Sequence, residues 1–248
     1  MGTSGRLAFL AALAAAGCSS MIEVPVETPL QSKLDVSGFR RILIAGFVTD
    51  LDTTDVDLSA ETSRLLQNQL RSNTQLLVLE PDRPPLQAAL EAALEKIGEG
   101  GSYSREEKDK YRLEADRILQ DPEFWRKMGE EYQQPLIVAG KLDFESQNRS
   151  GFQPDERVVR GAAGRPTAVR GSRFMERKGF TLSADFYFID SKTGEVLHKE
   201  RFSEEVLYAE DQRISPLSSY FELMDRLLPN FLGVLTPQRI RGTRVLLR

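Results

Sequence analysis

Residues 40–50 read RRILIAGFVTD. Two arginines lead into Ile42, Leu43, Ile44 and Ala45, an unbroken apolar run. A strand with one wet face alternates apolar and polar side chains, whereas a run without alternation suits a strand covered on both faces. Helices packed on both sides of a sheet supply such cover, so this stretch points to an α/β domain. Gly46 and Phe47 continue the strand, and Thr49 to Thr54 follows as a polar loop.

The segments downstream fit that frame. Asp57 or Ser59 is placed to cap a helix. Leu58, Thr62, Leu65, Leu66 and Leu70 recur on one helical face, with Glu61, Arg64 and Arg71 outside it and Asn73 near its end. QLLVLE at 75–80 reads as a second buried strand, stopped by Pro81. Residues 84–120 read as a helical insertion. Leu86, Leu90, Leu94 and Ile97 form one stripe, Glu99 to Ser102 breaks it, and a helix over 105–119 presents Tyr111, Ala115, Ile118 and Leu119. Asp121-Pro122 then supplies a cap and first helical position. The short helix that follows carries Phe124, Trp125, Met128 and Tyr132, either as core or as a partner-binding patch at Trp125.

PLIVAGKLDFESQ at 135–147 is a third strand, apolar at its start and alternating at its end. Residues 148–172 break the pattern with four glycines, two prolines and Arg149, Arg157, Arg160, Arg165 and Arg170 against Asp155 and Glu156. They read as a mobile basic loop, either simply solvated or docking an acidic lipid, glycan or protein. Phe174 to Tyr208 then reads as a long hairpin. Phe180, Leu182, Ala184, Phe186 and Phe188 alternate, and Asp190-Ser-Lys-Thr-Gly194 supplies the turn. A closing helix over 218–235 carries Phe221, Leu223, Met224, Leu227 and Leu228, with Pro229 expected to bend or divide it. Residues 239–248 hold four arginines and no acid, as an edge strand or a loose basic tail.

The amino terminus carries a different signal. Leu7 to Ala16 is apolar throughout but too short to span a bilayer as a helix. It suits the middle of a secretory signal. Ala15-Ala16-Gly17-Cys18 resembles the lipobox of bacterial lipoproteins, apart from Ala15, where leucine is usual. The resemblance implies a signal peptide over 1–17, cleavage before Cys18, and diacylglycerol on its thiol. Ser19 at the sorting position implies delivery to the outer membrane, with the domain facing the periplasm. The alternative is an ordinary secretory signal with an incidental cysteine. Cys18 is the chain's single cysteine and His198 its single histidine, so neither a disulfide nor a zinc site can be assembled from them. Residues 18–39, with two prolines and no clear period, read as a lipidated tether.

The order strand, helix, strand, helices, strand, hairpin, helix resembles a group of envelope proteins. These are the curli secretion-channel lipoproteins (CsgG-like), the lipoprotein activators of penicillin-binding proteins (LpoB-like) and the amino-terminal domain of TolB. RRILIAGF at 40–47, the Leu58–Leu70 helix running into QLLVLE, the Trp125–Gly140 segment and FYFIDSKTGEVLHKERF at 186–202 carry the similarity. It implies one α/β domain over 40–238, with a mixed sheet of about five strands flanked by helices.

Chemistry is sparse by comparison. There is no P-loop, GxGxxG, GxSxG or HExxH. The acid pairs Glu106-Glu107, Asp143 with Glu145, and Glu204-Glu205 suit solvated faces better than catalysis. The net charge of −4 argues against a nucleic-acid binder, which needs a strongly basic face. The expectation is therefore a non-enzymatic, lipid-anchored protein that needs no cofactor or metal. It binds another envelope protein through Trp125 or the arginines of 148–172, either as a monomer or as an oligomer. A secretion-pore subunit is the first alternative, and a small-ligand binder or hydrolase the second.

Overall fold

A computed structural model describes residues 21–51, 57–97, 103–160, 166–209, 212 and 214–247. Its elements are β1 (Met21–Leu30), β2 (Arg41–Val48), α1 (Leu58–Asn73), β3 (Leu77–Leu79), α2 (Pro85–Ile97), α3 (Arg105–Leu119) and α4 (Pro122–Glu131). There follow β4 (Leu136–Arg160), β5 (Pro166–Asp190), β6 (Val196–Ala209), α5 (Pro216–Leu235) and β7 (Gln238–Leu247). Residues 52–56, in the expected polar loop, and residues 98–102, across the expected helix break, lie outside the described residues.

The chain forms two compact units. Residues 33–236 form an α/β domain on a mixed five-stranded sheet ordered β3-β2-β4-β5-β6. β2 runs parallel to β3 and β4, and β4, β5 and β6 are successively antiparallel. β2 is covered on both faces as its sequence requires. Ile42 and Ile44 enter one core with Leu66 and Leu70 of α1 and Leu223, Leu227 and Phe231 of α5. Leu43 and Ala45 enter a second core with Leu86 and Leu90 of α2, Tyr111 and Leu119 of α3, and Trp125 of α4.

Gly46 switches this alternation. The β2–β4 register shifts between Ile44 and Gly46, and Gly46 takes φ +109, open chiefly to glycine. One residue is thereby skipped, and Phe47 joins the first core instead of the second. The Phe47 N–H that follows the bulge donates to Ser59 Oγ at 3.1 Å, within the first turn of α1. Asp57 caps that helix, its carboxylate accepting from the Ala60 N–H at 3.0 Å.

Several expectations are corrected. Within 148–172, residues 148–160 and 166–172 are strand rather than loop: β4 and β5 run on as 25-residue strands, paired from Leu136↔Asp190 to Arg160↔Pro166, and residues 161–165 lie outside the described residues. Backbone pairing holds these strands where the sequence offers few large apolar side chains. Of the tether expected over 18–39, residues 21–30 are strand, and residues 239–247 follow the strand alternative rather than the loose tail. Met21–Leu30 and Gln238–Leu247 pair antiparallel through ten residues as the second unit. Residues 33–39 belong to the α/β domain, where Leu34, Val36 and Phe39 pack on the first core. Pro229 does not divide the closing helix, which runs from Pro216 to Leu235 with Leu227, Leu228 and Phe231 buried around it.

Candidate functional site

The long strands create an arm. β6 pairs with β5 only as far as Ala209↔Arg177, and β2 pairs with β4 only as far as Val48↔Lys141. Residues 150–160 and 166–176 therefore continue as a two-stranded ribbon of eleven pairs, about 35 Å long at the usual strand rise. Both of its outer edges present backbone N–H and C=O groups that no other described strand pairs. Phe152, in register with Phe174, is 74% exposed, and Val158 is 69% exposed.

Of the arginines singled out from the sequence, Arg170 is exposed on this arm and Arg149 at its base. Arg149 forms an ion pair with Glu205 of β6 at 3.0 Å. Arg157 and Arg160 lie on β4, and Arg165 lies outside the described residues. Cys18, Ala15, Ala16, Gly17 and Ser19 also lie outside them. Trp125 is not a contact residue: it is 0% exposed, and its indole N–H donates to the Leu119 carbonyl at 3.2 Å. The apolar stripe of α4 faces the second core, which claims the ring.

The sequence did not anticipate a polar cleft of about 440 Å³ at the edge of that core. Odd-numbered residues of β4 are apolar through Ile137 and Ala139, then turn to Lys141, Asp143 and Glu145. These three line the cleft with Asp185 of β5, Arg201 of β6, Asp50 after β2, and Lys108, Tyr111, Arg112 and Asp116 of α3. Most of its charges are compensated. Arg112 bonds Asp50 at 3.2 Å, Lys141 bonds Asp116, Arg201 stands 3.8 Å from Asp185, and Gln147 donates to Glu145 at 3.1 Å.

Burial, reinforced by the Glu145 and Asp50 charges, raises the Asp143 carboxyl above its ordinary value. Burial, with the Asp50 charge, also pushes the Tyr111 hydroxyl up to about 12. His198 is not in the cleft. It packs against Phe188 of the first core, 5.9 Å between ring centres, and bonds Glu200 at 3.0 Å. Among the described residues, no group of His, Cys, Asp or Glu is arranged to hold a metal ion. The cleft is a network of ion pairs around one destabilised carboxylate, suited to polar contact.

A folded-state pKa above the unfolded value gives stability that is present below the unfolded value, near 3.8, and lost as pH rises through the folded one. Asp143→Asn should therefore stabilise the protein at pH 7 by about 0.5 kcal/mol, the scale of exposed charge interactions. The gain should vanish near pH 3, as thermal melts at the two pH values would show. An equal gain at both would mean that the charge is not its cause.

No protein-family model matches the chain, and no curated protein matches it. Among solved structures, the PelC dodecamer from Paraburkholderia phytofirmans is similar at 11% identity and a TM-score of 0.38, over 88% of this chain and 100% of that one. A variant of the same dodecamer gives 11% and 0.36, over 87% and 99%. Likenesses this distant assign this chain neither a family nor a function.

Proposed function

We propose that the protein is a non-enzymatic component of the bacterial cell envelope, anchored in the outer membrane by lipid on Cys18. Its periplasmic α/β domain binds another envelope protein along the arm formed by residues 150–160 and 166–176. The observation that carries this is that no other described strand pairs with either edge of the arm. An isolated two-stranded ribbon is marginally stable in water, and an open strand edge is a template for an added strand. Natural proteins blunt such edges unless they use them, and strand addition is a recurrent mode of recognition.

The length of the arm also favours the pore reading, because each of its strands is long enough for a transmembrane β-strand of about 9–11 residues. Its composition opposes that reading. A lipid-facing side must be apolar at every second position, and these strands carry Arg157, Arg160, Arg170 and Arg173.

A photo-crosslinker placed in turn at positions 148–152 and 170–172 in living cells tests the proposal. Strand addition predicts capture of one envelope protein with a two-residue period along the edge. Capture of a second copy of this chain instead would favour the pore. The variant in which Asn-Gly replaces residues 150–176 should keep its melting temperature within a few degrees and lose the capture. Capture that survives this deletion would overturn the role of the arm.

A further inference from the structure

We propose that the β1–β7 ribbon is a membrane-seating element. Its Met21–Leu247 end rests on the phosphate layer of the membrane, with Arg244 as the phosphate contact. This rests on Cys18 being lipidated. Three peptide steps separate Cys18 from Met21, a span of at most about 11 Å. A thioether-linked diacylglycerol holds Cys18 at the headgroup level, and the headgroup regions add roughly 5–7 Å to each side of the hydrocarbon core. The first pair of the ribbon, Met21↔Leu247, is thereby held within about 11 Å of the headgroup level.

The ribbon's charges are arranged to match. At the far end, around Leu30↔Gln238, Arg239 and Arg241 both pair with Glu27, at 3.7 and 3.0 Å. At the near end Arg244, in register with Val24, is exposed and has no carboxylate partner among the described residues. The nearby acid, Glu23, is exposed, stands in register with Val245, and makes no ion pair with Arg244. An arginine beside an anionic leaflet gains about 1 kcal/mol, and that gain fades within a Debye length of about 8 Å. Distance along the ribbon therefore decides which arginines count. Arg244 lies three residues from the seated end, about 10 Å and close to one Debye length, whereas Arg239 lies eight residues from it, about 27 Å, and is already compensated. The antiparallel register thus returns the carboxyl-terminal basic segment to the membrane that holds the amino terminus.

The test uses the full-length lipidated protein in vesicles of phosphatidylethanolamine and phosphatidylglycerol carrying a headgroup-attached nitroxide quencher. With Cys18 blocked by lipid, a fluorophore is attached at Thr243→Cys, an exposed position, or at Gln238→Cys, a half-buried one, about 17 Å apart along the strand. Quenching at 243 should exceed that at 238 about threefold, and Arg244→Glu should bring it down to the level seen at 238. Equal quenching at both sites would mean a ribbon lying flat, and no quenching at either would mean a ribbon held away. Each result overturns the proposal while leaving the anchor intact. Failure of the unlabelled protein to float with the vesicles would remove the anchor itself, and the proposal with it.

Discussion

Gly194→Ala is expected to destabilise the α/β domain by about 4 kcal/mol, one of the largest losses available from a single methyl group. Two costs combine. Gly194 closes the β5–β6 turn at φ +76, and an alanine there pays roughly 1–2 kcal/mol for left-handed backbone. Its Cβ would also lie 2.1 Å from the Pro122 carbonyl oxygen, at the first turn of α4. Neither side can give way easily. The turn is fixed by the Gly194 N–H donating to the Asp190 carbonyl at 2.7 Å and the Lys192 N–H to the Asp190 carboxylate at 2.9 Å. The helix start is fixed by Asp121, whose side chain accepts from the Glu123 N–H at 2.9 Å. Overpacking of a close contact costs roughly 1–3 kcal/mol beyond the backbone strain. Denaturant unfolding followed by the fluorescence of Trp125 reads the loss directly. Gly38→Ala is the control, since nothing lies within 4 Å of its added Cβ, and it should shift the midpoint little. A Gly194→Ala variant within 1 kcal/mol of the parent would mean that the turn and α4 are not locked together, the 1 kcal/mol being roughly the effect of an ordinary substitution.

The sequence revealed most where burial wrote a period into it. Continuous apolar residues at 42–45 and 136–138, alternation at 180–188, and the helical stripes of α1, α3 and α5 all report which faces the core covers. The turn at 190–194 was legible from its chemistry, Asp to begin and Gly for positive φ. The β1–β7 ribbon was not. Val24 and Val26 alternate, but Pro25 and Pro29 interrupt the pattern, and the partner strand is separated by the entire α/β domain. The arm was missed for a related reason. Its strands exist through backbone pairing, and arginine, glycine and proline leave no apolar signature of that pairing. The bulge at Gly46 is subtler: only the placement of Phe47 on the core face of Ile42 and Ile44 betrays the skipped residue. The cleft required tertiary knowledge as well. Asp143 and Glu145 stood out as a pair, but nothing local says that Asp50, more than ninety residues earlier, completes their environment.

Trp125 shows what the same sequence pattern means once packed, and it sets the second large expectation. Trp125→Ala should cost about 4 kcal/mol, the range for emptying a buried aromatic site. The ring is wholly buried in the core shared by α2, α3, α4 and the sheet, with Phe124 edge-on at 4.7 Å. It also finishes a helix. The last carbonyls of α3 have no partner within the helix, and the indole N–H reaches back to the Leu119 carbonyl at 3.2 Å. Trp125→Phe keeps most of the apolar volume and loses that bond, so its cost should be about 1.5 kcal/mol, close to that of one unsatisfied buried acceptor. Circular dichroism must report both variants, because Trp125 is the only tryptophan. The ratio of the two losses separates packing from hydrogen bonding, and near-equal losses would assign the effect to the bond alone. At temperatures where both variants stay folded, capture of a partner by the arm should be unchanged. A folded Trp125→Phe protein that lost that capture would place the contact on α4, against the burial of this side chain.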